Sequence, residues 1–293
     1  MSLERRDPPR TRRALEQLIR NLAREGRPGD SHQQAENRLE RAVLNTVVSQ
    51  MVPDGAVKGG TAMKLRLGEA GSRFTPDFDA ARARALGLDE YLDVFDDRLA
   101  DGWGGFTGRI EAMDPAEPEE VPDDYVMRPF KIVLSYLGSE WRTRVRFELG
   151  HDEIGSTAHP DMVMSDEMRG IFARLGLPDP QPVPVLPVSH QVALKLHACT
   201  AVGRDGTNQR AHDLVDLQLL DQEAGIDVPE AASTARRLFA VRKSHPWPPE
   251  VLVHVGWESL YSEAADGLGV LPTAEDAVAW ANALIAKMDA TLT

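Results

Sequence analysis

Residues 58–79 read KGGTAMKLRLGEAGSRFTPDFD and combine a glycine pair, Gly59 and Gly60, with an Asp-x-Asp pair, Asp77 and Asp79. Residues i and i+2 of a strand point the same way, so the two aspartates would present their carboxylates on one side. Such a pair can share a hard cation such as Mg²⁺. A glycine turn that opens a helix supplies backbone N–H groups for phosphate. The stretch therefore predicts a phosphoryl-transfer site.

The elements around this stretch are a mixture of helices and strands. Apolar periodicity predicts helices over residues 9–25 and 33–51 before it, and over 88–100 after it. Two β-like runs follow, 126–137 and 141–149, and they read as an antiparallel hairpin. The second run alternates, which puts its apolar side chains on one face and its charged ones on the other.

Beyond about residue 155 the pattern becomes helical. The proline-rich run over 177–187, LPDPQPVPVLP, reads as an extended connector. We predict an α+β chain with an N-terminal domain of residues 1–155 and a helical C-terminal domain of residues 156–293. The helices predicted for the second domain cover 165–175, 188–202, 208–223, 229–243 and 273–290.

The composition is typical of a globular protein, with 42% hydrophobic and 27% charged residues. No stretch approaches the roughly 20 apolar residues of a membrane helix, and the N-terminus lacks the apolar region of a secretory signal. The one cysteine, Cys199, excludes a disulfide within the chain and suits a reducing cytosol, so we expect a cytoplasmic protein with no membrane partner. Because Cys199 lies in an apolar helical run, it is interpreted as a small buried residue rather than a nucleophile.

The net charge is −13, which weighs against extended binding to duplex nucleic acid. The charge is uneven, however, because the first 27 residues hold eight arginines against four acids. Local basic surface of this kind can attract a phosphate backbone. A solvated helix face is the alternative interpretation, and the sequence leaves both open.

A second group of charged residues lies in 190–217, HQVALKLHACTAVGRDGTNQRAHDLVDL. Lys195 is on an otherwise apolar helix, where a lysine either extends to solvent or is held toward a phosphate. Arg210, Asp213 and Asp216 follow at i,i+3 spacing on a later helix. Two carboxylates one turn apart need a partner cation, although an ordinary surface ion pair would read the same way.

Several of these motifs resemble those of a known family. KGGTAMKLRLG…SRFTPDFD resembles the GGTAL…R.S.DiD opening of AbiEii/AbiGii-type nucleotidyltransferase toxins, which include the MenT-like toxins of type IV toxin–antitoxin systems. VSHQVALKLHAC…NQRAHDLVDLQLL resembles the later K-x-x-A and R-x-x-D-x-x-D-L segment, and RPFKIVLSYL and RTRVRFELG fit the central sheet. The resemblance covers roughly residues 40–220.

The resemblance implies a polymerase-β-like nucleotidyltransferase core with a mixed sheet, followed by a helical C-terminal domain. It implies transfer of a nucleoside monophosphate from an NTP, with Mg²⁺ or Mn²⁺ and release of pyrophosphate. The acceptor that it implies is RNA, at the 3′ acceptor end of tRNA, so that translation is blocked. It also implies a cognate antitoxin protein.

The resemblance assigns roles to individual residues. Gly59 and Gly60 would hold the triphosphate, and Asp77 and Asp79 would be catalytic and hold the metals. Lys195 would contact NTP phosphate. The late catalytic aspartate would be Asp213, as general base toward the attacking hydroxyl, or its neighbour Asp216, which stays open for that role in the nucleotide site.

Four further residues are expected in or beside the nucleotide site. Lys58 and Arg73 are candidate phosphate contacts, and Glu148 is a candidate third metal-binding carboxylate. Thr75 stands where relatives carry a Ser or Thr that can be phosphorylated to silence the enzyme, and an ordinary loop threonine is the alternative. Pro76 departs from the family pattern, and its missing N–H predicts an edge strand.

Two other functions remain open. The same fold could modify a protein or a small molecule, and the net charge of −13 favours this over RNA. Alternatively, the chain could be a nucleotide-binding module with a decayed site. The presence of Asp77, Asp79, Lys195 and Asp213 together argues against decay.

Overall fold

The computed structural model describes residues 6–25, 31–113, 128–203 and 206–292. The chain folds into two compact units. The first unit comprises Met1–Ala70 and Phe74–Val185, and the second comprises Gly71–Arg73 and Leu186–Thr293. Residues 126 and 127 of the predicted hairpin lie outside the described residues.

A mixed eight-stranded sheet forms the frame of the first unit. Its strands are β1 Gly55–Lys58, β2 Asp77–Arg82, β3 Phe106–Ala112, β4 Arg128–Tyr136, β5 Ser139–Glu140, β6 Val145–Gly150, β7 Asp161–Val163 and β8 Val183–Val185. The order across the sheet is β3-β4-β6-β2-β1-β8-β7, and β5 pairs with β4. The strand that carries the Asp-x-Asp pair is therefore interior, antiparallel to β1 and parallel to β6.

Pro76 does not place β2 at an edge, so that prediction was wrong. The strand begins at Asp77, one residue after the proline, and its ladder to β6 also begins there. The missing N–H of Pro76 thus falls outside the ladder, as is usual for a proline at the start of a strand. The predicted hairpin is confirmed, since β4 pairs antiparallel with β6, with the short β5 between them.

Five helices accompany the sheet in the described part of the first unit. They are α1 Arg12–Ala23, α2 His32–Ser49, α3 Gly59–Leu67, α4 Leu88–Asp101 and α5 Asp166–Leu175. Local sequence explains where several begin: Thr11 and Ser165 accept a backbone hydrogen bond at the start of α1 and α5, and Ser31 forms a capping box with Gln34 at α2.

The core of the first unit is built on the apolar face of β6 and β2. The ring of Phe147 lies 6.0 Å from Phe78, 5.2 Å from Phe95 of α4 and 6.1 Å from Phe130 of β4, measured between centroids. Phe78 and Phe147 are fully buried. Because side chains alternate along a strand, the neighbours of these two rings must point to the opposite, polar face.

The second unit is helical, as predicted. Its helices are α6 Val188–Thr200, α7 His212–Leu219, which continues into a π-helical turn over Leu220–Ala224, α8 Val228–Arg242, α9 Trp257–Ala265 and α10 Ala274–Asp289. The predicted burial of Cys199 is confirmed, and burial raises the pKa of its thiol. None of the helices in the described residues has the length and apolar character that crossing a membrane requires.

The predicted domain boundary at residue 155 falls inside the first unit. Three elements beyond it, β7, α5 and β8, belong to that unit. The reason is the pairing of β8, which is parallel to β1 and places Val185 opposite Val57. The run over 177–187, predicted as a connector, therefore contributes a strand to the sheet.

Candidate active site

The turn between β1 and α3 holds the carboxylate of Asp79 at the start of a helix. Lys58 ends the strand, and Gly59 begins the helix with a φ of +64°, a conformation that favours glycine. A Cβ placed on Gly59 would lie 2.0 Å from Oδ2 of Asp79, so the carboxylate packs directly on the glycine backbone. The first N–H groups of α3 and this carboxylate therefore share one corner of the sheet.

Gly60 has a different packing role. A Cβ there would lie 2.7 Å from both Cβ and Oγ1 of Thr75, a side chain whose residue is only 4% exposed. Beside it, Thr61 Oγ1 donates a hydrogen bond of 2.8 Å to the carbonyl oxygen of Asp77 and accepts one of 3.2 Å from Asn45 Nδ2. The second glycine thus lets α3 approach the segment that leads into β2, and Thr75 lies buried beneath that helix.

Three carboxylates lie on the polar face of the sheet. Asp77 and Asp79 flank the buried Phe78, and the parallel pairing places Glu148 of β6 opposite Asp79 and Arg146 opposite Asp77. Arg146 Nη2 lies 2.9 Å from Glu148 Oε1, and its Nε lies 4.0 Å from Asp77 Oδ1. The predicted placement of the two aspartates and Glu148 on one face therefore agrees with the geometry, with Arg146 between them.

This arrangement suits a two-carboxylate metal site. Magnesium commonly uses one or two protein carboxylates and takes its other ligands from water and substrate phosphates. Asp77 and Asp79 are partly exposed and share one strand face, which fits that requirement. No group of three or more His, Cys, Asp or Glu side chains could hold a metal by itself within the described ranges. Glu148 would have to leave Arg146 before it could serve as a third ligand.

Lys58 is positioned beside this face. It stands opposite Asp79 in the antiparallel pairing of β1 and β2. A Cβ placed on Gly150 would lie 2.7 Å from Lys58 Nζ, so the ammonium group sits over the glycine at the end of β6. Lys58 and Asp79 therefore place one cation and one anion at the start of α3.

The second unit contains a buried cluster of charges around Lys195. Its Nζ donates to Asp213 Oδ1 at 3.0 Å and to Asp216 Oδ2 at 2.5 Å. Arg73 approaches Asp216 with two nitrogen atoms at 3.0–3.1 Å, and Arg210 Nε donates to Asp213 Oδ2 at 2.8 Å. Both aspartate side chains are at most 1% exposed. The residues of the second motif thus form one ion-pair network.

The electrostatics of this cluster keep both aspartates ionised. Burial by itself would raise the pKa of Asp213, but the charges of Lys195 and Arg210 outweigh it and hold that pKa below its usual range. The pKa of Asp216 is also lowered, because Arg73 and Lys195 outweigh the effect of its burial. In neighbouring His212 the effect of burial dominates instead, and it lowers the pKa of the imidazole to about 4.

The predicted site residues divide between the two units. The first unit holds Lys58, Gly59, Gly60, Thr75, Asp77, Asp79 and Glu148, and the second holds Arg73, Lys195, Asp213 and Asp216. That the two sets serve one bound nucleotide stays a prediction. Sequence reasoning missed the contribution of Asn45 and gave Arg146 no role. The alternation of β6 carried a signal for Arg146, whereas nothing in the sequence pairs Asn45 with Thr61.

The mixed sheet, the glycine turn and the aspartate pair are together the arrangement expected of a nucleotidyltransferase. The sequence model of the family described as "Nucleotidyl transferase AbiEii toxin, Type IV TA system" matches residues 42–283. The chain belongs to this AbiEii family of nucleotidyltransferase toxins. A comparison with curated proteins gave no match.

Solved structures of related fold include MenT4, a nucleotidyltransferase toxin from Mycobacterium tuberculosis H37Rv. It has 15% sequence identity and a TM-score of 0.52, and the match covers 94% of this chain and 98% of that one. A Helicobacter pylori protein described as a nucleotidyltransferase has a TM-score of 0.46, 15% identity and coverage of 88% and 96%. JHP933 from Helicobacter pylori has a TM-score of 0.41 and 15% sequence identity, and the match covers 85% of this chain and 89% of that one. The MenT4 match confirms the predicted α+β fold with C-terminal helices.

Replacing Gly59 with alanine should displace Asp79, a predicted metal ligand. The added Cβ would lie 2.0 Å from Asp79 Oδ2, so the carboxylate would have to move. The alanine would also keep the positive φ of residue 59, a strain of about 1–2 kcal/mol. We expect Mn²⁺ affinity, measured by electron paramagnetic resonance, to fall about tenfold or more. Gly170→Ala is the matched control, since a Cβ there meets nothing within 4 Å. Equal Mn²⁺ affinity in both variants would contradict the geometry.

Removing Lys195 should destabilise the second unit. Lys195→Met removes a cation shared by two buried carboxylates, while Arg73 and Arg210 stay in place, which should cost about 3 kcal/mol of unfolding free energy. Urea titration followed by circular dichroism measures this loss. Lys287→Met, at an exposed position of α10, should change stability by less than about 0.5 kcal/mol. A loss below about 1 kcal/mol for Lys195→Met would show that the cluster adds little to stability.

His212 should make stability pH-dependent. Its pKa is lowered to about 4 in the folded chain from 6.5, so between these values the unfolded state binds the extra proton and stability falls as the pH falls. The loss is at most about 3.4 kcal/mol, from 1.36 kcal/mol per pKa unit. The free energy of unfolding, measured by urea titration, should depend less on pH over this range in His212→Gln. His159→Gln, at an exposed position, should keep the wild-type pH dependence. An unchanged slope for His212→Gln would disprove the assignment.

Proposed function

We propose that this chain transfers a nucleoside monophosphate from an NTP to RNA, at the 3′ acceptor end of tRNA, and so acts as a toxin that blocks translation in the cytoplasm. The observation that carries the proposal is the carboxylate of Asp79 lying against Gly59 at the start of α3, with Asp77 on the same strand face. Membership of the AbiEii family supports both the nucleotidyl transfer and a cognate antitoxin as partner.

The roles in the first unit follow from position. Asp77 and Asp79 would hold Mg²⁺ or Mn²⁺, which supplies charge neutralisation at the transferred phosphoryl group. The N–H groups at Gly59 and Gly60 would bind the triphosphate, since a helix start favours anions. Lys58, beside Asp79, would add a point charge toward the same phosphates.

The roles in the second unit take account of the ion-pair network. We propose that Lys195 contacts an NTP phosphate by exchanging one of its two aspartate partners for it. Asp213 has a lowered pKa and is therefore a weak proton acceptor, so its ionised carboxylate would orient Lys195 more effectively than it would remove a proton. Arg73 and Asp216 would set the position of the lysine through their own bidentate pair.

The proposed Thr75 phosphorylation requires a local opening. The residue is 4% exposed and packs on Gly60, so a kinase would reach its hydroxyl only after the segment before β2 leaves α3. A phosphate at that position would place about two negative charges beneath the helix start that is proposed to bind the triphosphate. Modification would therefore oppose nucleotide binding.

Asp79→Asn tests the function directly. The purified protein is incubated with each α-labelled NTP, Mg²⁺ and total tRNA, and label on RNA is measured after gel separation. Loss of the carboxylate charge should lower transfer by about 10³-fold or more, because charge neutralisation at the phosphoryl group is a large part of such catalysis. Asp97→Asn, an exposed aspartate of α4, should transfer at the wild-type rate.

The distribution of label separates the alternatives. Label on tRNA supports the proposed acceptor, and label on protein or on a small molecule would support a different acceptor for the same chemistry. NTP binding without any transfer would indicate a decayed site. Wild-type activity of Asp79→Asn would remove the metal assignment altogether.

A further inference from the structure

A basic pocket lies on the first unit, apart from the aspartate pair. It has a volume of about 370 Å³ and is lined by Arg12, Arg13, Glu16, Gln17, Arg20 and Arg142. Four guanidinium groups and one carboxylate line it, in a chain whose net charge is −13. Arg20 and Arg142 also border an adjoining cavity that contains Glu36 and Glu40. Because the composition of the chain opposes such a gathering of positive charge, the pocket points to an anionic ligand.

Two of the four arginines are already neutralised by neighbours. Arg12 pairs with Glu16 at 2.7 Å, and Arg20 pairs with Glu36 at 2.8 Å. Arg13 and Arg142 are exposed and form no ion pair with another residue of the described ranges. The paired arginines therefore shape the pocket, whereas Arg13 and Arg142 present charge to a ligand.

Arg142 of the pocket stands three residues before β6, the strand that pairs with the aspartate strand. Arg142 precedes Arg146 by four residues, a separation of at most roughly 14 Å. Arg146 lies opposite Asp77 in the parallel pairing and opposite Lys131 in the antiparallel pairing with β4. Since directly paired residues share a face, Lys131, Arg146 and Asp77 form a row across three strands. The row of cations thus ends at a proposed metal ligand.

We propose that this pocket and row bind the phosphodiester backbone of an RNA whose end is presented to Asp77 and Asp79. The inference rests on the proposed function, because it requires an RNA acceptor. Arg13 and Arg142 would contact the phosphates farther from the reacting end, and Lys131 one nearer to it. Arg146 would contact a phosphate by exchanging its ion pair with Glu148 for it. Guanidinium groups suit this task, since each can hold a phosphate with two hydrogen bonds.

Backbone contacts of this kind predict a defined salt dependence. Each phosphate contact to a single strand contributes about 0.7 to the slope of log K against log salt concentration. Replacing both exposed arginines, Arg13→Gln with Arg142→Gln, should reduce that slope by about 1.4 and weaken binding about tenfold at 0.15 M salt. Neither residue is placed in the catalytic machinery, so kcat at saturating RNA and the Kd for NTP should stay at wild-type values.

The experiment measures binding of a fluorescein-labelled tRNA transcript to the full-length chain by anisotropy, at several salt concentrations. Arg84→Gln is the control: this exposed arginine follows β2, at the opposite end of the strand from Asp77, and removes the same charge. We expect wild-type affinity and slope for the control. Wild-type affinity and slope for the double variant would overturn the proposal.

The outcomes also distinguish this proposal from the proposed function. Arginine-dependent tRNA binding without transfer of label to tRNA would support RNA binding at this surface, but it would overturn the presentation of a tRNA end to Asp77 and Asp79. Transfer of label to tRNA with an unaffected double variant would overturn the surface alone. Inorganic tripolyphosphate and unlabelled tRNA are compared as competitors at equal phosphate concentration. If the two compete equally well, the pocket is a general anion site and the assignment to RNA is overturned.

Discussion

The packing of Asp79 on Gly59 is the constraint on which the rest of the candidate site depends. A side chain of any size at position 59 would occupy the space of the Asp79 carboxylate, and the positive φ at that position independently favours glycine. A steric requirement and a conformational requirement therefore both favour glycine at position 59. The result is that a helix start and an acidic strand meet without an intervening side chain. Under the proposed function, phosphate and metal would be bound within one small volume, because the N–H groups and the Asp79 carboxylate lie side by side.

The second unit buries a cluster of charged side chains around Lys195. Two carboxylates and a lysine are buried together, and each charge would be costly to bury alone. The cluster balances because Arg73 and Arg210 add a second cation to each aspartate. Such networks commonly fix one arrangement more than they add stability. Here the fixed arrangement includes Arg73, which belongs to the second unit although it precedes Asp77 by only four residues. The buried charges therefore hold the short segment Gly71–Arg73 against α7.

The sequence was sufficient to predict features whose signals are local. Period-3.6 runs marked α1, α2 and α10, and alternation along a strand placed Asp77 and Asp79 on one face. The strand β8 was missed because its pairing with β1 depends on distant residues, and the interior position of β2 was missed because a proline at a strand start looks like an edge signal until the partner strands are known. The bonds from Lys195 to both late aspartates were missed for a related reason, since i,i+3 spacing permits a surface pair as readily as a buried network. Burial distinguishes a surface ion pair from a buried network, and the burial of these side chains depends on the packing of the whole unit.

An acidic chain that acts on RNA must confine its attraction for phosphate to a small area. Excess negative charge elsewhere repels a polyanion, so nonspecific contact is penalised over most of the surface. A pocket of four arginines would then have an effect out of proportion to its size, because the negative charge of the remaining surface does not oppose the approach of RNA there. On this argument the net charge of −13 does not contradict an RNA acceptor. It instead restricts which part of an RNA can bind, favouring a terminus that reaches one site over a long duplex laid across the surface.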